Sequence, residues 1–208
     1  VIVTNSTIDA DTATEIDKIF FEVIIAPAYS GEALDILRRK KNRIILVQKQ
    51  DNNARTTMRS ALGGVLVQER DNRTESTEDL RTVTATAPTA AQVDDMLFAA
   101  KVVKHCRSNA IVLAHARTLC AAGVGQTSRV DSLRQAIAKA QAFGMTLDGA
   151  VMASDAFFPF GDCVKIAHEA GITAVIQPGG SIRDHESVEY CDAHGMAMSM
   201  TGIRHFRH

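Results

Sequence analysis

Four short apolar runs constrain this chain more than any other feature: Val23-Ile24-Ile25-Ala26, Ile44-Ile45-Leu46-Val47, Ala110-Ile111-Val112-Leu113 and Ala174-Val175-Ile176. A strand with water on one side alternates apolar and polar residues. Runs without that alternation read as strands covered on both faces. The covering helices are legible between them. Thr89-Ala90-Ala91-Gln92 has the Thr-x-x-Gln order of a capping box, and Val93, Met96, Leu97, Ala100 and Val103 follow on one stripe. A second helix is predicted from Ser128, with Val130, Leu133, Ile137 and Ala140 inward. Others are predicted over Ser30 to Lys40, over Asp162 to Ala170 with Gly171 as a stop, and over Asp184 to Ala193. The expectation is a layered α/β fold.

With 208 residues and 46% hydrophobic content, one or two compact units can each bury a core. Between Gln68 and Arg81 the sequence is polar throughout and has no face to bury. It reads as an exposed connector, dividing a first portion, 1–82, from a C-terminal α/β unit, 83–208. A long surface loop within a single domain is an equal alternative. The 23 basic and 24 acidic residues form no long run of either sign, so no nucleic-acid partner is expected. No stretch reaches the roughly 18 apolar residues of a membrane span. The start, Val1-Ile2-Val3-Thr4, lacks an initiator Met and a signal-peptide layout, and is expected to lie inside a larger protein. Cys106, Cys120, Cys163 and Cys191 form no Cys-x-x-Cys pair. They point away from zinc and dense disulfides, towards buried thiols in a reducing cytoplasm.

Three segments offer chemistry. Ser154-Asp155-Ala156-Phe157-Phe158-Pro159-Phe160 places three aromatics and a proline beside a carboxylate, which suits a wall for a flat ring. Gln177-Pro178-Gly179-Gly180-Ser181 follows a buried strand and precedes a helix, so it offers backbone amides to a ligand or forms a plain tight turn. The tail Thr201-Gly202-Ile203-Arg204-His205-Phe206-Arg207-His208 is basic. Upstream, Gly123-Val124-Gly125-Gln126-Thr127-Ser128 is a ligand loop or a turn. Arg129 follows in the first helical turn, where the helix dipole opposes its charge, so it should have a partner. By spacing alone, Asn109 reads as the closure of a turn.

These motifs together resemble the bifunctional purine biosynthesis enzymes that join an AICAR transformylase to an IMP cyclohydrolase. The likeness rests on Ser-Asn-Ala-Ile-Val from Ser108, Gly-Val-Gly-Gln-Thr-Ser-Arg from Gly123, Ser-Asp-Ala-Phe-Phe-Pro-Phe from Ser154, Gln-Pro-Gly-Gly-Ser-Ile-Arg-Asp from Gln177 and the terminal Arg-His-Phe-Arg-His. It runs from Val1 to His208 and covers the later part of the transformylase region. It implies a layered, cytidine-deaminase-like fold, a homodimer, and formyl transfer from 10-formyltetrahydrofolate to the 5-amino group of AICAR, with a monovalent cation as a further expected component. The two portions would be the end of a first transformylase subdomain and a second one.

By the same resemblance, Asn109 and Arg129 stand at catalytic positions. Glu22, Phe157, Pro159, Arg204 and Phe206 stand at substrate-binding ones, with Arg204 towards the phosphate. Val130, Phe160 and Asp162 stand on the folate side. Two departures are visible. The family's Lys-His pair has no match among these residues; Lys104-His105 lies on the capped helix, matches another segment and takes no catalytic role. Gly161 stands where a larger, basic residue is expected before Asp162. A zinc deaminase is the rival hydrolase reading, but the sequence has neither its His-x-Glu nor its Pro-Cys-x-x-Cys. A non-catalytic nucleotide-binding or dimerisation fragment is the other.

Overall fold

The computed structural model describes residues 1–50 and 54–207. They form two compact units, 1–70 and 71–208. In the first, strands β1 (Ile2–Val3), β2 (Val23–Ala26) and β3 (Ile44–Val47) form a parallel sheet in that order. Helices α1 (Ala10–Asp17) and α2 (Gly31–Leu37) supply Ala13, Ala33 and Leu37 to a core shared with Ile8, Phe21, Ile24 and Ala26. Asp9 and Ser30 cap these helices by accepting from the main-chain N–H groups of Thr12 and Ala33. An antiparallel hairpin, β4 (Thr56–Ala61) and β5 (Gly64–Glu69), completes the unit. One sequence expectation fails here. The run Ile44–Val47 is not covered on both faces: as an edge strand it leaves Ile44, Leu46 and Val47 exposed. An apolar run records what a strand can bury, and an edge strand with few elements around it buries only part of it.

The second unit is a six-stranded sheet with helices on both faces. Its strands are β6 (Arg81–Thr82), β7 (Ile111–His115), β8 (Thr118–Gly123), β9 (Val151–Ser154), β10 (Ala174–Gln177) and β11 (Ala197–Met200), in the order β6-β11-β10-β9-β7-β8. β9, β10 and β11 are mutually parallel; β7 and β8 form an antiparallel pair beside β9, and β6 runs antiparallel to β11. α3 (Ala90–Val103) covers one face, burying Met96, Ala99, Ala100 and Val103 against Val112, Ala114, Val151 and Ile176. α4 (Arg129–Ala142), α5 (Asp162–Glu169) and α6 (Asp184–Ala193) cover the other, around Leu113, Leu133, Met152, Phe158 and Val175. Every residue of β9, β10 and β11 is buried, as the apolar run Ala174-Val175-Ile176 predicts for β10.

The capping box forms as read: Thr89 accepts from the Gln92 N–H (3.2 Å) and Gln92 Oε1 accepts from the Thr89 N–H (2.8 Å). The polar stretch after Arg70 belongs with this unit despite its composition. Its end, β6, pairs with β11, and buried Lys104 at the end of α3 donates to the Arg73 carbonyl and to Thr74 Oγ1 (3.2 Å).

Candidate functional site

Parallel strands place their carboxyl ends on one edge of a sheet, so the loops after β9, β10 and β11 lie together. β7 and β8 add to that edge because of their direction: Ile111 at the start of β7 pairs with both Ser154 and Gly123, the last residues of β9 and β8. Asn109, the Gly123–Ser128 loop, Asp155–Gly161, Pro178–Arg183 and the 201–207 tail are thereby gathered.

Arg129 knots this edge. It is only 9% exposed, and it donates from Nη2 to Asp155 Oδ1 (2.7 Å) and Asn109 Oδ1 (3.1 Å), and from Nη1 to the Phe157 carbonyl (3.1 Å). The partner expected for a cation opposed by the helix dipole is therefore Asp155, itself fully buried. Ser128 caps α4 by accepting from the Asp131 N–H. Asn109 is spent locally, with its Nδ2 donating to the carbonyls of Gln126 (3.0 Å) and Thr127 (3.2 Å). Two buried atoms of the knot, Arg129 Nε and Asp155 Oδ2, find no partner among the described residues.

Of the two adjacent phenylalanines, Phe158 is fully buried and Phe157 is half-buried, so the alternation of the chain leaves one ring for the surface. Pro159 and Phe160 are exposed, and the Arg183 guanidinium lies 5.0 Å from the centre of the Phe160 ring. Asp162 opens α5 and is exposed, with Oδ1 accepting from the Cys163 N–H. Val130 is half-buried against the core beneath α4. A Cβ on Gly161 would come within 3.3 Å of the Glu186 carbonyl oxygen, so the small residue lets α5 start close against α6. Arg204 is exposed and stacks over Phe206 at 4.0 Å. Glu22 lies exposed in the first unit, ahead of β2. His208 lies outside the described residues.

The two glycine-bearing loops serve the fold. Gly180 and Ser181 direct their amides at Asp184 Oδ2 (2.7 and 3.1 Å), so a carboxylate of the chain already occupies the nest that the sequence offers to a ligand. Gly179 sits at φ 73° with Met200 Sδ 2.7 Å from where a Cβ would be. In the other loop, Val124, Gly125 and Gln126 donate to Gln135 Oε1, the Arg107 carbonyl and the Asn109 carbonyl. Gly123 is required because a Cβ there would meet the Ser132 carbonyl oxygen at 1.8 Å.

Sequence reasoning missed a polar cluster beneath the edge. His205 is 2% exposed, its Nδ1 lies 2.5 Å from Asp71 Oδ2, and its Nε2 lies 2.7 Å from Glu75 Oε1. Burial alone would push this imidazole down; the hydrogen bonds to Glu75 and Asp71 outweigh it, and the pKa is raised. The ion pair of Asp155 with Arg129 was not foreseen either; the available signal is a carboxylate directly after a buried strand. A cavity of about 10 Å³ lined by Glu75, Ser154, Gln177 and Thr201 has room for about one water. The cysteines are free, and burial pushes the thiols of Cys163 and Cys191 up to about 12, which suits packing and not nucleophilic attack.

Residues 1–139 match the family described as AICARFT/IMPCHase bienzyme. The whole chain is 62% identical over 208 residues to the bifunctional purine biosynthesis protein PurH of Bacteroides thetaiotaomicron, covering 41% of it. It is 52% identical over 211 residues to the PurH of Chloroflexus aurantiacus (41% of that protein) and 49% identical over 208 residues to that of Aquifex aeolicus (40%). The chain thus spans about two fifths of the length of the curated relatives it matches. Among solved structures, a diaminohydroxyphosphoribosylaminopyrimidine deaminase/reductase of Thermotoga maritima aligns with 50% of this chain and 33% of its own at 21% identity, with a TM-score of 0.36.

Proposed function

The chain belongs to the AICARFT/IMPCHase bienzyme family, and on that premise we propose that its second unit carries part of a surface for formyl transfer from 10-formyltetrahydrofolate to the 5-amino group of AICAR, in the biosynthesis of IMP. The observation that carries this reading is the Arg129 knot, which fixes Asn109, Asp155 and the Phe157 carbonyl on one sheet edge by three hydrogen bonds. Transfer moves the formyl carbon from N10 of the folate to the amine nitrogen, with one proton passing from the amine to N10. Asn109 and Arg129 are the groups proposed beside the reacting atoms.

Phe157 and Pro159 form the wall for the aminoimidazole, and the exposed fork of Arg204, backed by Phe206, takes the phosphate. On the folate side, the exposed ring of Phe160 and the carboxylate of Asp162 offer a flat apolar contact and an acceptor, with Val130 nearby in α4. Glu22 is proposed as a substrate contact on the family resemblance. A monovalent cation is proposed on the family resemblance alone. The exposed apolar side chains of the β4–β5 hairpin, Met58, Val65, Leu66 and Val67, support a homodimer, and the four free thiols support a cytoplasmic setting.

Lys104 cannot stand in for the family's Lys-His pair, because its ammonium is buried and tied to Arg73 and Thr74. The same observation favours the second reading, a nucleotide-binding part with little turnover of its own. The test is a formyl-transfer assay of this 208-residue chain beside a longer chain that includes the pair. Proton transfer by a positioned group contributes about 10²–10⁴ in rate, so the shorter chain should be slower by that factor. Equal rates would overturn the assignment of low activity, and absence of transfer in both would overturn the formyl-transfer reading.

A further inference from the structure

We propose that His205 is a positioning residue, an imidazolium clasped between Asp71 and Glu75 that fixes the C-terminal strap so that Arg204 and Phe206 are presented on the outer side of the edge. The proposal rests on the reading of Arg204 and Phe206 as nucleotide contacts. The strap is laced across the edge by main-chain bonds: Thr201 and Gly202 donate to the carbonyls of Gln177 (3.0 Å) and Pro178 (2.9 Å), His205 donates to the Asp155 carbonyl (3.0 Å), and the Ser108 N–H donates to the Arg207 carbonyl (2.7 Å). Ser108 Oγ accepts from the Arg207 N–H (2.8 Å). Arg204 and Phe206 flank His205 and stack on each other at 4.0 Å, with the guanidinium exposed while the His205 ring is buried.

The chemistry of the clasp defines its charge. Both ring nitrogens face carboxylate oxygens, and an ionised carboxylate only accepts, so both nitrogens must carry hydrogen. Asp71 and Glu75 face the ring from the segment before β6. Lys104, at the end of α3, lies 3.9 Å from Asp71 and offsets part of the negative charge, and His105 stands beside it. The side chain of Glu75 is 3% exposed and its Oε2 has no partner among the described residues, so a neutral His205, with a single N–H, could serve only one of the two carboxylates and would release the other, Asp71 being the more exposed. The folded pKa is raised above the ordinary 6.5, so the clasp is complete below that value and is lost as pH rises through the folded value. The strap then loosens, and the affinity for the phosphorylated ligand falls with it.

The experiment is a titration of AICAR and of its dephosphorylated nucleoside into the 208-residue chain, followed by ligand NMR across neutral to alkaline pH, for wild type, His205→Gln and Glu75→Gln. His205→Gln should weaken the nucleotide roughly tenfold, about the worth of one charged hydrogen bond, and leave the nucleoside nearly unchanged. Wild type should lose nucleotide affinity with rising pH. His205→Gln should not, which separates the clasp from ionisation of the phosphate. Glu75→Gln, which retains the imidazole, should shift the loss to lower pH. Parallel pH profiles in wild type and His205→Gln, equal losses for both ligands, or an unmoved midpoint in Glu75→Gln would each overturn the positioning role. Failure of wild type to bind the nucleotide at all would overturn the reading of the edge itself, and the positioning role with it.

Discussion

Arg129 occupies a helical turn whose dipole disfavours it, and it is held there by a carboxylate with no exposure to water. Breaking a buried ion pair by removing one charge typically costs about 3–5 kcal/mol, because the other charge is left desolvated. Asp155→Asn should therefore destabilise the second unit by that order. Tyr190 is the only tyrosine of that unit, so in a Tyr29→Phe background its fluorescence in urea follows the transition of this unit alone. A loss below about 1 kcal/mol, the worth of an exposed pair, would show that the knot is not buried in solution. Arg204 makes the opposite prediction: it is exposed and stacked on Phe206, so Arg204→Ala should leave stability nearly unchanged. It should weaken AICAR about tenfold or more relative to the nucleoside, as loss of a charge-assisted contact implies. Uniform weakening of both ligands would show that Arg204 does not meet phosphate. The partners of Arg129 could not be named from sequence; only the need for one could. Asp155 lies 26 residues away in the chain, and Asp71 lies 134 from His205, so neither contact leaves a local pattern.

At the scale of elements, the site depends on how closely α4 lies on β8. Gly123 sets that distance, since an added Cβ would stand 1.8 Å from the Ser132 carbonyl oxygen. Gly123→Ala must push the start of α4 outwards and carry Arg129 with it. A cost of roughly 1–3 kcal/mol or more is expected, together with weakened nucleotide binding. Unchanged binding at reduced stability would show that the knot tolerates movement of the helix. The elements most legible in the sequence were those with local signals: the capped α3, the Ser128 start of α4, and the apolar runs within β7 and β10. What misled was context. The apolar run of β3 looks like that of β10, but it lies at an edge and stays partly exposed. The Gly180 and Ser181 amides look available in sequence, but Asp184, three residues beyond Ser181, already accepts from both. The rigid glycine turn that results is a structural part of the edge, not a ligand cradle.

Across the whole molecule, the two units differ in how completely they cover their sheets. The second encloses six strands between helices and concentrates its unusual polar chemistry at one edge, in the Arg129 knot and the His205 clasp. The first leaves apolar side chains on β3 and on the β4–β5 hairpin in water. Exposed apolar hairpins of this kind commonly mark association surfaces, and this one is the surface proposed for the homodimer. Sedimentation should show a dimer that Val65→Lys with Val67→Lys converts to monomer, and a wild-type monomer at high concentration would contradict it. The most direct test of the central claim, that the carboxyl edge of the second sheet receives AICAR, is a titration of the isotopically labelled chain with AICAR, read by backbone amide shifts. Perturbations should concentrate at Asn109, Arg129, Phe157 and 204–206, and leave Gly180 and Ser181, already bound to Asp184, nearly still. Saturable shifts centred on a different face of the unit, with this edge unmoved, would contradict it.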